Sequence, residues 1–183
     1  MNVSSLTIEQ RRRIDLAKEK LVTAAEKLLD DAQVTPNREF GHSQLRNLVA
    51  VASETESPAV VLNFIRYQMG RDDKGKNWSR VVKEVPVGEP SREVKKIRLG
   101  DLFITDLEEQ GGVVRQSLQN VPGCDDPVTG QLARMELIRY FLGFATRYMK
   151  YMELKSNQGN QGNHGNQGGQ GARGAQERRG GGR

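Results

Sequence analysis

The chain predicts an all-α fold, a compact helical bundle of about five helices followed by a disordered C-terminal tail. Three observations lead there. Apolar residues recur at three- and four-residue spacing through several segments. Helix-start signals stand at the head of those segments, at Thr7–Gln10, Ser43, Ser57-Pro58 and Asp126-Pro127. Residues 156–183 hold ten of the 20 glycines, many Asn and Gln, and no Val, Ile, Leu, Phe, Tyr or Trp. Such a segment has nothing apolar to bury against the entropy of ordering it. The foldable body is therefore 1–155, long enough for one hydrophobic core, and 156–183 is a Gly/Asn/Gln-rich tail carrying arginine.

The first helix opens at Thr7-Ile8-Glu9-Gln10, a capping box in which Thr7 accepts from a free amide and Gln10 reaches back. Ile14, Ala17, Leu21, Ala25 and Leu28 line one face, and Asp30, Asp31 and Pro36-Asn37 end the helix. Arg11, Arg12 and Arg13 sit near its start, the unfavourable end for positive charge. They read as a solvated turn or as a contact for phosphate or a partner. A second helix begins with Ser43 as N-cap and turns Leu45, Leu48, Val49 and Ala52 to one side. Ser57-Pro58 starts a third, with proline at the first helical position, where its missing amide costs nothing. It carries Val60, Val61, Phe64, Ile65 and Met69, and Gly70 is placed to stop it. These two helices make a hairpin.

Residues 72–77 form a polar turn, and Trp78, Val81, Val82 and Val85 fit either a short helix or an extended piece. Val94, Ile97, Leu99, Leu102, Phe103 and Leu107 fit a helix, interrupted or capped by Gly111-Gly112, with Val113, Val114 and Leu118 resuming it. The frequent β-branched residues leave a β-hairpin between Val81 and Ile104 as the alternative. Pro122 to Pro127 is a loop containing Cys124. Asp126-Pro127 then opens a long helix with a stripe at Leu132, Met135, Ile138, Leu142, Ala145, Tyr148 or Met149, and Met152. The stripe lasts under four heptads and reads as bundle core rather than coiled coil. The tail repeats Asn-Gln-Gly without proline, which argues against a triple helix, and ends near one Arg179-Gly180-Gly181 unit.

Net charge is +5, of which Arg173, Arg178, Arg179 and Arg183 against Glu177 place +3 in the tail, leaving the body at +2. A polyanionic partner is expected, held by a localised patch or by many copies rather than by bulk charge. One cysteine permits neither an intramolecular disulfide nor a zinc spacing. No charged-then-apolar leader opens the chain, no apolar run approaches the ~18 residues of a membrane span, and a reducing cytoplasm is the expected location.

Enzymatic readings lack parts. The histidines are His42 and His164, so a Cys–His nucleophile would need Cys124 beside His42. The acidic pairs Asp30-Asp31, Asp72-Asp73 and Asp125-Asp126 are neighbours in sequence, which suits turns and caps better than paired-carboxylate catalysis. Phosphate-loop and nucleophile-elbow motifs are missing from the sequence, and no cofactor or metal is expected.

The nucleic-acid signal lies in how the bases are spaced. Arg46, Arg66 and Arg71 accompany the apolar faces of the helical hairpin, and Lys74, Lys76 and Arg80 surround Trp78. On the last helix Arg139, Arg147 and Lys150 alternate with Tyr140, Tyr148 and Tyr151, at intervals that form one ridge. Such a ridge suits a phosphate backbone, whose contacts carry no sequence information. For each residue taken singly, a solvated surface role is the alternative.

At the hairpin, Ser43-Gln44-Leu45-Arg46-Asn47-Leu48 and Ile65-Arg66-Tyr67-Gln68-Met69-Gly70-Arg71 resemble the small subunit of type III CRISPR effector complexes, the Csm small-subunit family. Arg147-Tyr148-Met149-Lys150-Tyr151 is similar to that family's closing segment. The resemblance implies a compact helical bundle, present in several copies that stack as an inner filament beside the guide-binding subunits. It implies a basic face along the guide–target RNA duplex, with Arg46, Arg66 and Arg71 as backbone contacts and nuclease activity in other subunits. The long stretch from Pro86 to Pro127, the tail, and Gly143 where an acidic residue is expected mark a divergent member. The implied partners are guide RNA, target RNA, other effector subunits and further copies of the chain, with no membrane. A free-standing RNA chaperone acting through the tail is the second reading. A helix-turn-helix regulator is the third, and the apolar Val60, Val61, Phe64 and Ile65 leave it little room for base-reading side chains.

Overall fold

The computed structural model describes residues 5–34, 40–87 and 94–161. Their fold is mostly helical, as the sequence predicts, with one small β-ribbon. In chain order the elements are α1 (Ile8–Asp31), α2 (His42–Glu54), α3 (Pro58–Arg71), β1 (Val81–Pro86), β2 (Val94–Arg98), α4 (Leu99–Glu108), α5 (Val113–Leu118) and α6 (Pro127–Gln161). The described residues thus hold six helices where about five were expected.

The 35 residues of α6 span roughly 50 Å at 1.5 Å per residue, and the other helices pack around this axis. It buries Ala133, Met135, Leu137, Ile138, Phe141, Leu142, Ala145 and Met149. Met149, rather than Tyr148, continues the stripe. α1 runs in the same direction as α6. Lys18 of α1 lies over the Tyr140 ring, and Asp30, near the end of α1, accepts from the Tyr148 hydroxyl at 2.9 Å. α2 runs the opposite way, because the His42 amide donates to Glu153 at 2.8 Å while Arg139 bonds the Ala52 carbonyl at 2.9 Å. The interior is joined by a chain of edge-to-face rings: Phe40–Trp78 at 5.1 Å, Trp78–Phe103 at 5.4 Å and Phe103–Phe141 at 6.3 Å. Burying each of these rings stabilises the fold by about 1.5–3 kcal/mol.

The local start signals act as their chemistry dictates. Gln10 N donates to Thr7 Oγ1 at 3.2 Å while Thr7 N donates to Gln10 Oε1 at 2.8 Å, closing the capping box. Pro58 opens α3. Asp126 accepts from the Thr129 amide at 2.8 Å and caps α6. Other expectations need correction. α2 begins two residues earlier than expected, with Gly41 rather than Ser43 as N-cap, and Gln44 Oε1 accepts from the Gly41 amide at 3.0 Å. Gly70 does not stop α3, which runs through Arg71 and is ended by Asp72. α1 ends at Asp31, as expected, while Pro36-Asn37 lie outside the described residues. α6 continues to Gln161, past Lys155, and residues 162–183 of the tail lie outside the described residues.

The largest difference is at 81–98. Val94 and Ile97 belong to β2, not to a helix, and the helix formed by Leu99, Leu102, Phe103 and Leu107 starts only at Leu99. β1 and β2 pair antiparallel, with Lys83 opposite Ile97, Glu84 opposite Lys96 and Val85 opposite Lys95, and an irregularity between Val81 and Lys83. Val94 and Ile97 are three apart, a helical interval, yet in the strand they fall on opposite faces. Gly111-Gly112 separates α4 from α5. Gly112 lies so close to the end of α4 that a Cβ there would overlap the Thr105 carbonyl oxygen.

Candidate nucleic-acid interface

The antiparallel run of α2 and α3 brings the first turn of α2 and the last turn of α3 to one end of the bundle. The Phe40–Trp78 ring contact ties those two ends together. The Glu153–His42 bond brings the C-terminal part of α6 to the same end, and Arg80 brings the end of α1 there. Arg46, Arg71, Lys74, Lys76, Arg147 and Lys150 therefore collect at one pole, all exposed. Their acidic neighbours are largely engaged. Asp30 holds the Tyr148 hydroxyl, Asp31 pairs with Lys27, and Glu153 takes both the His42 amide and Lys150 Nζ at 3.2 Å. Burial raises the Glu153 pKa, but the His42 amide and Lys150 outweigh it and hold the carboxyl below its ordinary value.

The Lys74–Lys76 segment is held by Asp72, which accepts from the amides of Lys76 at 3.2 Å, Asn77 at 2.6 Å and Ser79 at 3.0 Å. Burial works against its charge, but bonds from Ser79, Asn77 and Lys76 depress its pKa, so the carboxylate keeps the loop folded at neutral pH. Two aromatic faces stand open at this pole. Tyr67 and Tyr151 are each 56% exposed. Arg71 lies 5.4 Å from the Tyr67 ring, and Tyr151 stacks on Tyr148 at 6.0 Å. Cations beside open rings are the parts a single-stranded nucleic acid uses, phosphate on charge and base on ring. Trp78 takes no such part, since it is 2% exposed within the core.

Three arginines named from sequence have partners within the fold. Arg139 donates to the Ala52 and Thr55 carbonyls and to Glu56, each at 2.9 Å, closing the C-terminus of α2. Arg80 donates to the Ala32 carbonyl at 2.7 Å and the Gln33 carbonyl at 3.4 Å, closing α1. Arg66 pairs with Glu108 at 2.9 Å. Two further arginines close α4, Arg134 on the Leu107 carbonyl at 3.1 Å and Arg115 on the Glu108 carbonyl at 3.3 Å. None of α1, α2 and α4 has a basic residue in its own last turn. Arginines from elsewhere supply the positive charge that a helix C-terminus favours. Arg139 therefore leaves the ridge expected on α6, where Arg147 and Lys150 remain exposed.

Sequence reasoning missed the cations of the ribbon. Lys83, Lys95, Lys96 and Arg98 are all exposed, against one acid, Glu84. The available signal was the run of β-branched residues at Val81, Val82, Val85, Val94 and Ile97, which favours strands.

Cys124 shares a cavity with Gly130 at the start of α6, and His42 is bonded near its end at Glu153, roughly 35 Å away along the helix. Burial, then Asp125, pushes the Cys124 thiol pKa up, away from thiolate. Among the described residues no group of three or more His, Cys, Asp or Glu is placed to hold a metal ion, and no helix is long and apolar enough to cross a membrane. Burial raises the Asp106 pKa to about 6, although the Val113 amide favours its charged form. Comparison with family models, with curated proteins and with solved structures returned no match.

Proposed function

We propose that this chain is a non-catalytic, cytoplasmic RNA-contacting subunit, the small subunit of a type III CRISPR RNA-guided effector complex acting in antiviral defence. It stacks in several copies as an inner filament and touches the guide–target RNA along its backbone. One observation carries the reading. The exposed cations Arg46, Arg71 and Lys150 come from the three segments that resemble the small-subunit family, and those segments meet at a single pole of the bundle. The pole presents charge and open rings, a combination suited to holding a nucleic-acid strand. The modest body charge fits a subunit whose affinity is multiplied by neighbouring copies.

The test is purification of the tagged protein from its native host. A guide RNA and several other effector subunits should accompany it in fixed proportion. Recovery of the chain alone, with no RNA of uniform length, overturns the assignment. A second reading, a free-standing RNA chaperone, rests on the +3 charge of the tail and its Arg179-Gly180-Gly181 unit. Under that reading, deletion of residues 162–183 abolishes RNA binding; under the first, most of the affinity persists.

A further inference from the structure

The ribbon is the one element whose charges follow no helical face, and the register of its strands sorts them. Residues paired across an antiparallel ladder share a face, and neighbours along a strand alternate. Lys83 and Ile97 are therefore on one face, together with Val85 and Lys95. Glu84 and Lys96 are on the other, together with Pro86, Val94, Arg98 and Val81. Each face carries two cations, Lys83 with Lys95 and Lys96 with Arg98. Glu84, opposite Lys96, offsets one charge on the second face. All five charged side chains are exposed, and only Val82, Val85 and Ile97 are half-buried.

A ribbon that lay flat on a strand would need its cations on one outward face. Cations on both faces suit a cleft with negative charge on either side. Among the described residues, a sheet of two strands also leaves the outer edge of each strand without a sheet partner. Those edges offer alternating amides and carbonyls.

From the two-faced charge and the open edges we infer that the ribbon stands edge-on in the wide, shallow minor groove of an A-form RNA duplex. Its faces meet the two flanking phosphate backbones, and its outer edge meets the 2′-hydroxyls. The minor groove of an RNA helix displays those hydroxyls, which donate and accept as the strand edge does. The inference rests on the reading of the chain as a protein that contacts an RNA duplex and deepens it by naming the ribbon as the element that grips that duplex and the minor groove as its seat.

The experiment is fluorescence anisotropy of the full chain with a 20-base-pair RNA duplex of arbitrary sequence and with each of its single strands. Two double charge reversals, K83E/K95E and K96E/R98E, are compared with R12E/R13E at the opposite end of the bundle, where acidic residues suit the start of α1. Each ribbon pair should weaken duplex binding by about tenfold or more and flatten the log–log salt dependence by about 2, with a smaller loss on the single strands. R12E/R13E should change affinity less than about twofold. Loss confined to one ribbon pair overturns the two-faced seat. Equal loss with R12E/R13E shows general charge only and overturns the assignment to the ribbon. Normal duplex binding by both ribbon variants overturns the inference and leaves the RNA-contacting reading intact, whereas a wild-type chain that binds no RNA overturns both. Thermal unfolding of every variant is measured alongside, and the neutral pairs K83Q/K95Q and K96Q/R98Q replace any reversal that lowers Tm.

Discussion

Arg139 lies two turns before Arg147 on α6, and the two are expected to respond in opposite ways to truncation. Arg139 is joined to Ala52, Thr55 and Glu56, so Arg139→Ala leaves carbonyls at the end of α2 without partners. It should cost about 2–3 kcal/mol in urea denaturation. Arg147 is exposed and lies over the Phe144 ring at 5.6 Å, and Arg147→Ala should stay within about 0.5 kcal/mol of wild type while weakening RNA binding. Asp106 makes the fold sensitive to pH. Its folded pKa, about 6, lies above the ordinary 3.8, so the unfolded chain releases the proton first as pH rises. Stability is therefore lost between about pH 4 and pH 6, and the penalty is complete above that window. Asp106→Asn should raise Tm by a few degrees at pH 7.5, on the order of 1 kcal/mol, and change nothing at pH 3.5. At this scale the sequence was legible where partners are close. The Thr7–Gln10 box and the Asp126–Thr129 cap each span three residues. Arg80 and Arg139 were not legible, since their carbonyl partners lie 48 and 87 residues away.

Elements were readable where one periodicity dominates. α1, α2 and α3 each show an apolar face at helical spacing and are placed from it within a few residues, as is the start of α6, but β1 and β2 are not. A ribbon attached by one partly packed flank lacks a clean alternation of apolar and polar residues, and the irregularity between Val81 and Lys83 disturbs what alternation there is. Gly70 misled for another reason. A helix-ending glycine acts through a left-handed conformation, and the chain here continues helically to Arg71 before Asp72 takes over as loop anchor. Two glycines give opposed predictions. Gly143 sits inside α6 with open space where a Cβ would stand, so Gly143→Ala should stabilise by about 0.5–1 kcal/mol. Gly112 is pressed against the Thr105 carbonyl, so Gly112→Ala should destabilise by about 2 kcal/mol as α4 and α5 are forced apart. Thermal melts of the two variants check both signs.

Over the whole molecule, segments remote in sequence converge. The cations at residues 46, 71, 74 and 147 reach one pole because α2 and α3 are antiparallel and α6 returns past both. Periodicity within each helix announces its apolar face but carries no information on which ends meet. The pole therefore became visible only in the fold. The most direct measurement of the central claim is the salt dependence of RNA binding by R46A/R71A/K74A/R147A against wild type. The account predicts an unchanged thermal transition with weaker binding and a log–log slope shallower by about 3, the loss of four phosphate contacts. An unchanged slope and affinity in a folded variant would contradict it.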